Sequence, residues 1–333
     1  MHSRDHRRTV RILVLIAMVA VVAAACDVPP ARFGDLRTSD WEDSLPTDYV
    51  PPAPAQVLHD LPYGPGPLQA ADVYLPATVA PNAPVLLYIH GGGWVLGEHD
   101  TVPALVFREG SRIGAAVVAI NYTLSRTDDP TTAFPAASRD VDRAIRWAKT
   151  QAASWGNAAR VVVMGASAGG NLALMAGVAP GRFVEPELPP DLASVSPVVS
   201  GMVSLAGPVD TVAMYAIEGW RPTVLEPYLG CSPCTAEQVV AANPLHYLGH
   251  TVPPAYLAYG TDDWLIPASV HGLPTAIALM RARGDDRRDA ADREIWYELA
   301  NDDHAIDHAH LNVRYFEIWV DWVVANRWPV SGA

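Results

Sequence analysis

The sequence is short of basic side chains: 23 Lys and Arg face 36 Asp and Glu over 333 residues, a formal charge of −13. So acidic a chain lacks the clustered cations that neutralise phosphates, which excludes nucleic acid as a partner. Cysteine is scarce too. Three in the whole chain rule out a small scaffold held together by disulfides. The longest apolar run, Ile12 to Ala25, is too short to cross a bilayer comfortably. Internal repeats are missing, and so is the His-Glu-x-x-His pattern of a helix-borne zinc site. With 50% hydrophobic residues, the chain has the material for one large domain with a substantial core.

What is present begins with a targeting pattern. Arg4, Arg7, Arg8 and Arg11 precede the apolar run, which ends in Ala23-Ala24-Ala25-Cys26. This reads as a signal peptide over residues 1–25. Small residues before a cysteine resemble a lipobox, although Ala23 stands where leucine is usual, so Cys26 is a candidate lipidation site anchoring the protein to a membrane. Ordinary cleavage near the same alanines is the alternative and gives a secreted protein. Either route places the protein outside the cytoplasm. Residues 26–55 are rich in Pro and Asp and read as a tether, and residues 56–333 as the main domain. In an oxidising compartment Cys231-Ser-Pro-Cys234 predicts a local disulfide rather than a redox centre, because no convincing strand precedes it.

From Asp72 onward, apolar runs alternate with helical patterns. Strands are expected at 72–75, 85–90, 115–121, 160–164, 202–205, 255–259 and 294–299. Helices are expected around 102–113, 136–155 and 171–177, with a last one at 311–326. Such alternation implies an α/β fold, a doubly wound and mostly parallel sheet built through right-handed crossovers. Functional groups then belong at the carboxyl ends of the strands. Residues 207–250, with Trp220, Tyr228 and the cysteine pair, are irregular and read as a small lid or cap insertion.

Four of the strand-end loops carry chemistry. Gly165-Ala166-Ser167-Ala168-Gly169 sits between a Val-rich strand and a helix of small residues, the nucleophile-elbow pattern. The turn is so tight that the positions two before and two after the serine must carry almost no side chain. His90-Gly91-Gly92-Gly93-Trp94 follows an apolar strand. Its glycines let backbone N–H groups turn toward a developing oxyanion, so Gly92, Gly93 and Ala168 are the candidate oxyanion-hole donors. His90 reads as a structural residue of this loop. Asp262 and Asp263 both follow the strand at 255–259. Asp263 is favoured because it lies three residues after Gly260 and three before Ile266-Pro267. The last strand leads to His304, with His308 and His310 close behind. His304 comes first in the loop and completes the order Ser, Asp, His. A metal site made of the three histidines is the competing reading. Trp94 and Trp264 flank these loops as candidate walls of an acyl pocket.

Together these residues resemble the bacterial carboxylesterase and lipase families of the α/β-hydrolase superfamily. The nearest groups are the hormone-sensitive-lipase-like and carboxylesterase-like ones that carry His-Gly-Gly-Gly. The likeness runs from about Leu61 to Trp328 and includes Asn121-Tyr122, Phe134-Pro135 and Asn243-Pro244. It implies attack on an ester by Ser167, proton transfer by His304, orientation by Asp263, and oxyanion binding by Gly92, Gly93 and Ala168. No cofactor is implied, and the partner is a small-molecule or lipid ester. The chain departs from the family at Ala166, Thr123 and Ala305, where an acid or histidine, an arginine and a glycine are common. A peptidase or amidase on the same machinery, or a binding protein that kept the fold, are the competing functions.

Overall fold

The computed structural model describes residues 36–39, 49–217, 219, 221–249, 251–283, 295–300, 304 and 313–326. The signal peptide, Cys26, Trp220, His308 and His310 lie outside the described residues. Nine strands form one sheet: β1 Leu36–Ser39, β2 Gln56–Pro62, β3 Ala70–Leu75, β4 Val85–Ile89, β5 Val117–Ile120, β6 Val161–Ala166, β7 Gly201–Leu205, β8 Ala255–Gly260 and β9 Ile295–Ala300. Their spatial order is β1-β9-β8-β7-β6-β4-β5-β3-β2. From β5 across to β1 every pair is parallel, while β2–β3 and β3–β5 are antiparallel.

Both faces of the sheet are covered, which explains why its central strands read as continuous apolar runs. Along β4, Val85, Leu87 and Ile89 face one core while Leu86 and Tyr88 face the other. The first core is closed by α2 (Ala136–Gln151), α3 (Ala168–Val178) and α4 (Leu273–Ala282), through residues such as Val141, Leu172 and Ala276. The second is closed by α1 (Ala104–Ile113) and α5 (Val313–Asn326), through Leu105, Phe316, Trp319 and Val323. The fold is the doubly wound, mostly parallel α/β arrangement expected from the alternation of elements.

Two strands were not expected. The stretch 26–55 reads as a tether, yet Leu36–Ser39 pairs in parallel with β9. Its pairing is made by backbone groups at an open sheet edge, so side-chain periodicity carries no sign of it. β2 is hidden for another reason. Its register against β3 shifts between Leu58 and Leu61, and Asp60 has a positive φ of 51°, so the alternation of a regular strand is broken.

Among the described residues between β7 and β8 there is no strand. The chain makes short helical segments at Thr211–Tyr215, Arg221–Leu225, Glu226–Leu229, Ala236–Ala241 and Pro244–Tyr247. Cys231 and Cys234 are joined by a disulfide in this region. Among the described residues, no helix is long and apolar enough to cross a membrane.

Candidate active site

The site lies at the carboxyl ends of β4, β6, β8 and β9. Ser167 stands between the end of β6 and the first turn of α3 with φ 52° and ψ −120°, a backbone strain of about 1–3 kcal/mol for a non-glycine residue. The surroundings enforce it. The Ser167 N–H donates to the Leu205 carbonyl on β7 at 2.8 Å, and its own carbonyl accepts from Asn171 N at 3.1 Å. A Cβ on Gly165 would lie 2.4 Å from Gly169 backbone, and one on Gly169 would lie 2.1 Å from the Ile89 carbonyl. Elbow and β4 therefore touch backbone to backbone, which is the steric reason for both glycines.

His304 bridges the other two groups. Its Nε2 lies 3.1 Å from Ser167 Oγ, and its Nδ1 lies 2.9 Å from Asp263 Oδ2. Asp263 is buried, and its Oδ1 accepts the N–H groups of Leu265 at 2.9 Å and Ile266 at 2.8 Å. Burial pushes this carboxyl up. The His304 hydrogen bond, the Ile266 and Leu265 N–H groups and the nearby imidazole outweigh burial and hold it below the usual carboxylate range. An ionised carboxylate only accepts, so His304 Nδ1 carries the proton and Nε2 is left to accept from the Ser167 hydroxyl. Asp262, the competing acid, is exposed.

The glycine loop packs directly over the serine. A Cβ on Gly91 would meet Ser167 Cβ at 3.4 Å. Gly92 and Gly93 have positive φ of 103° and 59°, and a Cβ on Gly92 would lie 2.0 Å from the Leu96 carbonyl. Ala168 opens α3 beside them. His90 is buried and stacked on Tyr122 at 4.3 Å, and its Nδ1–H donates to the Gly91 carbonyl at 2.7 Å. Burial lowers its basicity, and its ring nitrogen bonds the glycine loop itself.

The two tryptophans fall apart in role. Trp94 is fully buried and stacked on Tyr228, with ring centroids 4.1 Å apart, so it packs the loop from below and lines no open pocket. Its position is read off the sequence as adjacent to the loop, but the direction of its side chain follows from a positive φ of 62° that no local signal announces. Trp264 is 77% exposed beside Asp263. The segment Arg221–Leu225 reaches over the glycine loop, since a Cβ on Gly93 would meet Val224 at 3.0 Å. His271 went unread in the sequence. It is buried, and its Nδ1 accepts the N–H groups of Val209 and Asp210 at 3.1 and 3.0 Å, fastening the loop after β7. A lone histidine at the end of a short helix gives no signal of this.

The BD-FAE family model matches residues 71–271, more than half of the chain. The chain belongs to the BD-FAE family. The matched stretch holds Ser167, Asp263 and the glycine loop, while His304 lies beyond it. Among curated relatives, esterase LipQ of Mycobacterium tuberculosis is 30% identical over 258 residues, covering 75% of this chain and 57% of that protein. The probable carboxylic ester hydrolase LipM of the same organism is 28% identical, covering 68% of this chain and 50% of LipM. The chain thus spans about half the length of these relatives. The crystal structure of esterase LipW from Mycobacterium marinum shares the fold, with a TM-score of 0.59 at 22% identity over 82% of each chain.

Proposed function

We propose that this BD-FAE member is a serine hydrolase that cleaves carboxylic esters of short or medium acyl chains through an acyl-enzyme on Ser167. One observation carries the reading: His304 lies within hydrogen-bond reach of both Ser167 Oγ and Asp263 Oδ2, at 3.1 and 2.9 Å. Ser167 Oγ attacks the ester carbonyl while its proton passes to His304 Nε2. Asp263 holds the ring and stabilises the imidazolium. Backbone N–H groups of Gly92, Gly93 and Ala168 receive the oxyanion, each worth about 3 kcal/mol in related sites. His304 then returns the proton to the departing alcohol, and water repeats the sequence to release the acid. The names of LipQ and LipM support an ester over an amide as the bond cleaved.

The test is fluorophosphonate labelling of the purified protein beside Ser167→Ala, with the modified peptide mapped and a series of nitrophenyl esters and aminoacyl amides assayed. Labelling at Ser167 that vanishes in the variant, with turnover of esters over amides, is expected. A folded sample that takes no label overturns the reading and leaves a binding protein in its place. Preference for amides keeps the triad and overturns the substrate.

We infer further that the protein works outside the cytoplasm, attached through Cys26 or released. The Arg-rich start, the apolar run and Ala23-Ala24-Ala25-Cys26 support it, as does the Cys231–Cys234 disulfide. Mass spectrometry of the N-terminus distinguishes the two: a lipidated Cys26 marks the anchor, an unmodified terminus created by cleavage near Ala25 marks secretion, and an intact Met1 overturns both.

A further inference from the structure

At the antiparallel edge of the sheet, four side chains converge that the hydrolytic reaction does not use: His59 and Asp60 on β2, Asp72 on β3, and His99 just past the glycine loop. His99 Nε2 lies 3.1 Å from Asp72 Oδ1 and 3.6 Å from Asp60 Oδ1. The longer approach exceeds hydrogen-bond reach, and both are ion pairs only when the ring carries a second proton. Both ring nitrogens of His99 are hidden from solvent and make no hydrogen bond among the described residues, a costly arrangement for a ring with a donor and an acceptor to satisfy. One donor atom each from Asp60, Asp72 and His99 lies within 4.8 Å of the others. A small cation bound at about 2.0–2.2 Å to each ligand requires donor separations of about 3–4 Å, with lone pairs aimed at a common point instead of at each other.

The frame around these atoms is built. Asp72 is buried, and its Oδ1 accepts the Asp60 N–H at 2.9 Å. Its Oδ2 is held by His59 Nδ1 at 2.8 Å, the kind of outer partner that fixes a ligating carboxylate. Asp60 is turned toward the pair by its positive φ at the β2 irregularity, and its side chain is 80% exposed, which opens the site to water. His99 is fixed through its backbone, whose N–H donates to Asn121 Oδ1 at 2.8 Å.

We propose that Asp60, Asp72 and His99 form a binding site for a divalent transition-metal ion of the zinc type, with His59 holding Asp72 from behind. One imidazole and two carboxylates suit zinc, whereas calcium takes six to eight oxygens. His99 lies two residues after Gly97, where any Cβ would sit 2.3 Å from the His90 ring. A cation there ties the exit of the glycine loop to the β2–β3 edge and braces that loop. No step of the hydrolytic reaction passes through it.

The experiment is calorimetric titration of zinc chloride into the full chain after chelator treatment, with a chromophoric zinc chelator in competition. Wild type is expected to bind one equivalent that Asp60→Asn and His99→Gln both lack and that His246→Gln, a change at an exposed histidine, retains. His59→Gln is expected to keep the equivalent with an affinity about 10- to 100-fold weaker. Asparagine adopts positive φ readily, so Asp60→Asn leaves the backbone at this irregularity undisturbed. Binding that persists in Asp60→Asn and His99→Gln places the metal elsewhere and overturns the proposal. No zinc binding in wild type overturns it as well, leaving a cluster of ion pairs.

Discussion

Ser167 and His304 are 137 residues apart in the chain and 3.1 Å apart in space, Oγ to Nε2. The proton on the other ring nitrogen decides whether that contact can work. Asp263 accepts it, and an asparagine at the same place would donate instead. Asp263→Asn would then favour the ring with its proton on Nε2, where it cannot accept from the serine. A fall in kcat of about 10⁴-fold is expected, the loss seen when a triad aspartate is replaced this way. Asparagine keeps an oxygen for the Leu265 and Ile266 N–H groups, so the melting temperature should change little. Steady-state kinetics beside a thermal melt check both halves. A large drop in melting temperature would mean that Asp263 acts chiefly as a structural anchor.

The steric account of the elbow makes a second prediction. Gly169→Ala forces a methyl group to within 2.1 Å of the Ile89 carbonyl and 2.6 Å of the His90 carbonyl, both backbone atoms. Overpacking of this kind costs about 1–3 kcal/mol or more. Relief can come only by pushing β4 and the glycine loop away from the serine, so activity should fall with stability. Gly219→Ala is the control, since nothing lies within 4 Å of its added Cβ; it should stay within about 0.5 kcal/mol of wild type. Urea unfolding of the two variants measures the contrast.

Those close contacts also show why the elbow was legible in the sequence while other parts were not. Gly165 and Gly169 are demanded by local sterics, which leave a fixed spacing around the serine. The central strands announced themselves because burial on both faces removes polar residues. Asp263 and His304 were readable because strand ends place loops, and the chain order of the three groups is restricted. Leu36–Ser39 gave no sign, because edge pairing is a backbone property. His59, Asp60, Asp72 and His99 come together only through a strand irregularity and a loop crossing. Neither the burial of Trp94 nor the double hydrogen bond to His271 has a counterpart in local pattern.

The Cys231–Cys234 bridge gives a third prediction. It closes a loop of only four residues, so the restriction it places on the unfolded chain is modest, about 2 kcal/mol in the chain-entropy account. Reduction should lower the unfolding free energy by that order, read as a lower urea midpoint, and leave Ser167 reactive toward fluorophosphonate. If labelling disappears on reduction while the sheet stays folded, the bridge is instead shaping the residues that lie over the glycine loop. Circular dichroism and labelling on the same reduced sample separate the outcomes.

His271 gives the last. Burial drives its pKa down to about 4, from an ordinary value of 6.5, against the opposing pull of Asp210 and Asp263. Its Nδ1 accepts two backbone N–H groups, and a proton placed there would face both donors. The unfolded chain therefore takes up this proton at a higher pH than the folded one. Stability that is fully present above about pH 6.5 is lost as pH falls toward 4. Between about pH 7 and about pH 4.5 the loss should approach 2.5 kcal/mol. The depressed carboxyls of Asp72 and Asp263 add their own losses only below about pH 4. His271→Gln removes the titration while offering an acceptor oxygen, so the difference in slope between the two proteins isolates this one group. Equal slopes would show that His271 takes up its proton at the same pH in the folded and unfolded states, and that the loop after β7 is held by other contacts.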